Sequence, residues 1–465
     1  MQTTQIKDFT KGPIARELII FSLPLFLSNL LQIVYNMVDM IVIGNHLGKT
    51  ALSAVAVGGD VGHLLTFFAI GFSGAGQVII ARLIGARRQK DIGAFVGTMT
   101  GFLLFSALII SMVGFLFRHT LLEWMNTPPE AYQGALEYSA VSMAGLVFIY
   151  GYNIVSAILR GMGDSKHPFI FISIAAVLNL VLDILFVMVF EMGPAGAALA
   201  TVIGQAVSFI ACSIFLLRNK EQFQLNVRPS AFVRWNREML SDLLKLGIPM
   251  AIKSAAVQIS RLFVNAWINS YGIAVSAFAG IANKVCNVSI LVSNAMNTSG
   301  STVVGQNLAA GEFRRVKKTL GALAVITLSV AAVFSGAILL FPQAIFGIFT
   351  TDPSVMALVP GYVPIAVLLF FGSAFRAIMN ALINGSGNHN INFATAILDG
   401  IVMRVGLSLL FGLALHMEHY GFWLGDALAG FTPFWIGLVF YLTGNWKKGR
   451  MVPQTMEETD DVRAE

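Results

Sequence analysis

Two carboxylates stand inside stretches of this chain that are otherwise apolar enough to span a bilayer. Asp39 lies in LLQIVYNMVDMIVIGNHLG, residues 30–48, within a run that is almost wholly apolar from 18 to 44. Asp183 closes NLVLD, and Asn179 precedes it by four residues, one helical turn, on the same face. A charged side chain at the centre of a membrane helix costs about 2.5–3.5 kcal/mol on insertion scales. Such a residue is kept where it faces water, a cation or a polar partner. Thr201 joins them by counting. The tight turn 191–196 separates its helix from that of Asp183, and both residues lie about nine positions from the turn's centre. At the rise of an α-helix, each sits about 13 Å below that turn. Asp39 lies about six residues from its own loop, in the same half of the bilayer. Asp39, Asn179, Asp183 and Thr201 are therefore expected to converge. Their carboxylate, amide and hydroxyl oxygens suit a hard cation such as Na⁺, and two adjacent buried carboxylates compete for a single proton. The plainer alternative is that they only hydrogen-bond neighbouring helices. Pro24, fifteen residues before Asp39, removes one helical hydrogen bond and is a candidate hinge, or else a static kink.

The second half of the chain differs in sign. Its apolar stretches hold Lys253, Arg261, Lys284, Arg376 and Arg404, against only Asp399 and Asp426 as clear carboxylates. Bases near helix ends snorkel to the interface, but Arg261, Arg376 and Arg404 lie too deep for that. They are expected to line a cleft or to pair internally, with Asp399 and Arg404, five residues apart, meeting across neighbouring helices. The expected cavity wall comprises Tyr35, Asn153, Gln258, Arg261, Asn265, Lys284, Arg376, Asn380 and Arg404. Nineteen Met and 36 Phe residues supply adaptable apolar surface, although such residues are ordinary in membrane helices.

These residues need long helices to hold them, and the composition supplies them. The chain has 465 residues, 56% hydrophobic and 12% charged, where a soluble domain carries about 25% charged. The fold class expected is all-α integral membrane. Spans of about 20 apolar residues read at 14–43, 51–84, 92–117, 131–159, 168–190, 195–217, 240–271, 275–308, 317–349, 356–383, 391–416 and 422–446. That divides the chain into a segment 1–13, a first lobe 14–217, a basic linker 218–238, a second lobe 239–446 and a polar tail 447–465. Basic residues gather on alternate loops, at Lys7, Lys11, Arg87, Arg88, Lys166, the linker, Arg314 and Arg315. The positive-inside rule then makes both termini cytoplasmic. The formal net charge of +6 belongs to these loops rather than to a nucleic-acid surface. Cys212 and Cys286 sit in apolar runs and read as buried thiols, not a disulfide.

The halves repeat, at a spacing far longer than any solenoid period. LIIFSLPLFLSNLLQIVYNMVDMIVIG corresponds to LLKLGIPMAIKSAAVQISRLFVNAWIN, with Pro24 against Pro249. RGMGDSKHPF corresponds to INGSGNHNIN, with Gly161 against Gly385 and Gly163 against Gly387. Even-numbered halves repeat in parallel, related by an axis along the membrane normal, with a central cleft between two pseudo-symmetric six-helix lobes. There is no phosphate-binding loop of the Walker type, no HExxH and no Cys/His cluster, so ATP-driven or metalloenzyme chemistry is not indicated.

SLPLFLSNLLQIVYNMVDMIVIG, RGMGDSKHPF, the twelve spans in two repeats and the basic linker together resemble the multidrug and toxic compound extrusion (MATE) family over about residues 10–446. The resemblance implies a secondary active antiporter of the bacterial plasma membrane. It would export cationic or amphipathic small molecules in exchange for H⁺ or Na⁺, as a monomer and without a cofactor. The DinF-like branch builds a cation site from an Asp in the first span, Asn-x-x-x-Asp in the fifth and Thr in the sixth, a pattern matched by Asp39, Asn179, Asp183 and Thr201. The NorM-like branch places essential acids in the second lobe, where this chain has Arg261, Arg376 and Asn380. Two rivals are a lipid-linked precursor flippase of the same broad superfamily, suggested by the basic second lobe, and an intramembrane enzyme such as a prenyltransferase. For the latter, NLVLD alone is a sparse metal motif.

Overall fold

The computed structural model describes residues 5–125 and 127–448. All but the first two residues of the polar tail expected at 447–465 lie outside the described residues. Among the described residues there is helix and connecting loop but no strand.

The first half comprises α1 (Ile14–Gly85), α2 (Gln89–Leu116), a short α3 (Arg118–Trp124), α4 (Pro129–Ala144), α5 (Leu146–Gly161), α6 (Lys166–Asp183) and α7 (Gly193–Arg218). The two spans expected at 14–43 and 51–84 are both present within α1, whose 72 residues are two helices meeting at a kink. Its helical dihedrals fail only at Gly48, with φ 79° and ψ −174°. That left-handed backbone is open to glycine and costly to any residue with a Cβ. The expected fourth span is the pair α4 and α5, bent by 48° at Gly145. After the linker come α8 (Arg237–Asn269), α9 (Ile273–Ala309), α10 (Phe313–Leu340), the short α11 (Pro342–Gly347) and α12 (Pro353–Met356), and α13 (Val359–Gly385). Then follow α14 (His389–Ile397), α15 (Arg404–Leu409), α16 (Glu418–Ala429) and α17 (Thr432–Leu442).

Nine helical segments among the described residues are long and apolar enough to span a bilayer, and the bent pair supplies a tenth. The break at Gly48 makes α1 two spans. The helix α8, polar in its middle at Lys253 and Arg261, completes twelve. Outward-facing Val177, Leu262, Val325, Val333 and Val439 are all more than 60% exposed, as suits side chains turned to lipid.

The repeat is visible in the backbone. Gly163 and Gly387, at matching positions of the two halves, end equivalent helices at φ 88° and 67°. Asp164 and Asn388, one residue further on, sit at matching starts of α6 and α14 and accept the backbone N–H groups of His167 and Ile391. The lobes also exchange their leading ends. Leu18 and Phe21 of α1 pack with Met296, Val303 and Leu382 of the second half. Met239, Leu243 and Leu246 of α8 pack with the first-half core. Gly71 and Gly247 permit that crossing: a Cβ at Gly71 would meet the Ala251 backbone at 2.4 Å. The helix runs through Pro24 unbroken, and Ser28 Oγ donates to the Pro24 carbonyl at 2.8 Å.

Candidate functional site

The first-lobe residues lie on three helices. Asp39 is on the first part of α1, Asn179 and Asp183 are on α6, and Thr201 is on α7. Asp39 and Asp183 lie close to each other, so their two buried carboxyl groups compete for protons. With its amide oriented to satisfy both neighbours, Asn179 donates to Asp39 Oδ1 at 3.2 Å and accepts from the Thr201 backbone N–H at 3.2 Å. The Thr201 hydroxyl donates to the Ala197 carbonyl at 3.1 Å, leaving its oxygen lone pairs for a ligand. Asp183 is fully buried, and its Oδ1 has no hydrogen-bond partner. A cavity of about 10 Å³ lined by Tyr35, Asn179, Thr201 and Gln205 adjoins the cluster, room for about one water or a bare cation. Directly after Asp183 the helix widens into a π-turn, Ile184–Val189, the kind of irregularity frequent at functional sites. The four oxygen-bearing side chains and the orphaned Asp183 Oδ1 fit a proton or Na⁺.

Between the lobes lies a second cavity of about 560 Å³. Asn153, Gln258, Arg261, Arg376, Asn380 and Arg404 line it. Three expected wall residues do not. Tyr35 lines the small first-lobe cavity instead. Asn265 lines a separate cavity of about 40 Å³ with Arg261, Asn283 and Asp426. Lys284 is exposed and lines none of these cavities. One residue after Asn283 on α9, it is turned about 100° away from the cavity. Asp399 and Arg404 meet at 3.3 Å within one helical run rather than across neighbouring helices. The reason is a second π-turn, Leu398–Met403, whose wider winding brings i and i+5 together. Asp399 also takes Arg376 at 2.8 Å, and Arg404 reaches on to Asp426. Lys253 and Arg160 join the wall as well. Lys253 donates to the Asn380 amide oxygen, and Arg160 donates to Gln77 Oε1 at 3.0 Å and Ser156 Oγ at 2.9 Å. Arg160 reads in sequence as a helix-end base before a glycine turn, and only the tertiary packing of α5 against α1 turns it inward.

The sequence profile of the MatE family matches residues 24–185 and 249–413. The chain belongs to the MatE family. It is a multi-pass secondary transporter rather than an enzyme, in a family that is cofactor-free and ion-coupled. The chain is similar to the probable multidrug resistance protein YpnP of Bacillus subtilis, at 28% identity over 95% of this chain and 97% of that protein. It is also similar to the probable multidrug resistance protein NorM of Thermotoga maritima, at 26% over 94% of each. Its fold matches an outward-facing multidrug-resistance MATE transporter of the MOP superfamily, with TM-score 0.87, 22% identity and 97% and 100% of the two chains covered. It also matches a MOP-superfamily transporter of Pyrococcus furiosus reported with a binding pocket of reversed polarity, with TM-score 0.86, 22% identity and 96% and 100% covered.

In this MATE chain the two lobes meet at the end that carries the basic loops. Gln77 donates to Thr302 Oγ1 at 2.7 Å, and Arg82 donates to the Gly385 and Ser386 carbonyls. Gly85 lies flat on the Gln306 backbone. The segment before α1 straps this contact. Lys7 N–H donates to the Met162 carbonyl of the first lobe at 2.9 Å. Phe9, 2% exposed, accepts from Asn307 at 3.2 Å and Arg315 at 3.0 Å of the second lobe. Neither Gln77 nor Arg82 stands out in the sequence, because each works only through a partner in the opposite half of the chain.

Proposed function

We propose that this chain is an antiporter of a bacterial plasma membrane, a monomer with both termini in the cytoplasm. It exports amphipathic compounds in exchange for H⁺ or Na⁺ through alternating exposure of the central cavity. The convergence of Asp39, Asn179, Asp183 and Thr201 around an orphaned carboxylate oxygen carries this reading. A cation arriving from outside shields the two carboxylates from each other and draws α1, α6 and α7 together. α1 also walls the central cavity, at Leu25, Asn29 and Gln32, so tightening it reshapes the space left for the exported compound. Pro24 lies on the stretch between, where a missing hydrogen bond makes bending cheap. The oxygen set and its spacing favour the DinF-like branch over the NorM-like one. Amphipathic character, rather than the positive charge expected from the resemblance, is the property retained for the substrate, because the cavity's charged side chains are mostly basic. A lipid-linked precursor flippase is not favoured, since the relatives reported above are named as multidrug resistance proteins.

The experiment is dye transport in proteoliposomes under a pH gradient or a Na⁺ gradient, each applied alone. Transport under one gradient that is lost in Asp39→Asn identifies the ion and ties it to the cluster. Equal transport in wild type and variant refutes the assignment.

A further inference from the structure

The central cavity's charges do not balance. Five basic residues line it, Arg160, Lys253, Arg261, Arg376 and Arg404, against one carboxylate, Asp426; Asp399 stands just behind the wall. The two carboxylates are taken up by two arginines: Arg404 spans Asp399 and Asp426, and Arg376 shares Asp399. The other three bases form no ion pair with a carboxylate among the described residues, and Lys253 and Arg261 feel Asp399 only at a distance. Lys253 rests on the Asn380 amide, and Arg160 on an amide and a hydroxyl oxygen. Arg261 keeps its Nε buried with no hydrogen-bond partner. A buried cation without a counter-charge is strongly unfavourable, and a bound anion relieves it. Lys253 and Arg261 are two turns apart on one face of α8, about 12 Å along its axis. Val257 lies between them on the same helix, and Ile290 and Leu369 line the same cavity.

We propose that this cavity selects amphiphiles that carry an anionic group, a carboxylate, sulfonate or phosphate. Arg261 and Lys253 hold the charge, and the apolar patch between them holds the body. Arginine's planar fork takes such oxygens two at a time. A permanent organic cation instead meets net positive charge on the wall. The selectivity rests on the reading of the chain as an exporter of amphipathic compounds, but it is a property of equilibrium binding and needs no ion gradient. The first-lobe carboxylates do not enter it, since neither lines this cavity.

The test uses two amphiphiles with the same chain and opposite charge, decanesulfonate and decyltrimethylammonium, below their micelle-forming concentrations. Each is titrated calorimetrically into the full chain in nanodiscs, with empty discs subtracted. The expected result is sulfonate affinity at least about tenfold above that of the ammonium. Arg261→Gln removes most of that preference, while Arg261→Lys retains it. Lys253→Gln, scored against thermal melting to show that it folds, gives an independent loss. Equal or tighter ammonium binding in wild type overturns the proposal. So does a preference unchanged in both Arg261→Gln and Lys253→Gln. Tight sulfonate binding together with no transport under either gradient leaves the anion site standing and refutes the antiport reading instead.

Discussion

Gly85→Ala tests how the lobes are held together. A Cβ built on Gly85 falls 2.0 Å from the Gln306 carbonyl oxygen and 2.9 Å from its Cα. Ordinary contact begins near 3.4 Å, so the second lobe must retreat by more than the length of a C–H bond before the methyl group fits. The obstructing atoms are backbone, which no rotamer change can move aside. Overpacking of this kind costs about 1–3 kcal/mol. The strain acts only while the lobes touch here, so the whole of it biases the equilibrium towards separation at the basic-loop end. That corresponds to a shift of about 5–150-fold. The assay is the rate at which a membrane-impermeant maleimide reaches Thr298→Cys on the cavity wall from the basic-loop side. Native Cys212 and Cys286 are buried and are replaced beforehand. Gly62→Ala serves as the control, because a Cβ there meets nothing within 4 Å. Labelling should rise at least several-fold in Gly85→Ala and stay at the starting rate in Gly62→Ala. Equal rates in both would refute the claim that this contact closes the cavity.

Three further outcomes are expected. Asp183→Asn, like Asp39→Asn, lowers gradient-driven efflux at least about tenfold while leaving membrane protein levels near wild type, read by efflux and immunoblot from the same cells. Arg404→Leu strands Asp399 and Asp426 beside a missing charge, and breaking a buried pair in this way costs about 3–5 kcal/mol. The monodisperse peak on size exclusion should shrink sharply, and Asp399→Asn in the same chain should restore part of it. Gly48→Val and Gly48→Asn both force a Cβ into backbone open essentially only to glycine, at about 1–3 kcal/mol, so the melting temperature falls in both.

Much of this architecture is legible in the sequence because it depends on local periodicity. Twelve apolar runs, and the paired glycines that end equivalent helices at 163 and 387, need only counting. The first-lobe geometry could also be counted. A short turn, 191–196, fixes the register of α6 against α7, so the constant rise of an α-helix sufficed to place Asp183 and Thr201 at one depth. What escaped counting was irregular or non-local. The π-turns after Asp183 and around Asp399 have no compositional marker. They moved the partner of Arg404 from a neighbouring helix onto its own. The kink between the first two spans was hidden because one glycine at positive φ turns the chain without any loop. Lys284 misses the wall because its place along an apolar run gives depth but not azimuth. Gln77, Arg82 and Arg160 looked like ordinary helix-end polar residues until the far half of the chain was brought against them.

The strap at residues 5–12 has a practical consequence. Its backbone is held by the first lobe at Met162 and by the second at Asn307 and Arg315, with Phe9 sunk between them. Whatever is attached ahead of it is attached to the clasp itself. A bulky affinity tag or fluorescent protein fused before residue 5 would tug on the contact that keeps this face shut, and so alter the resting population of the very states being measured. Transport and binding data gathered with the tag at opposite ends of the chain need not agree. Comparing the two, with everything else unchanged, would itself report how firmly the clasp is fastened.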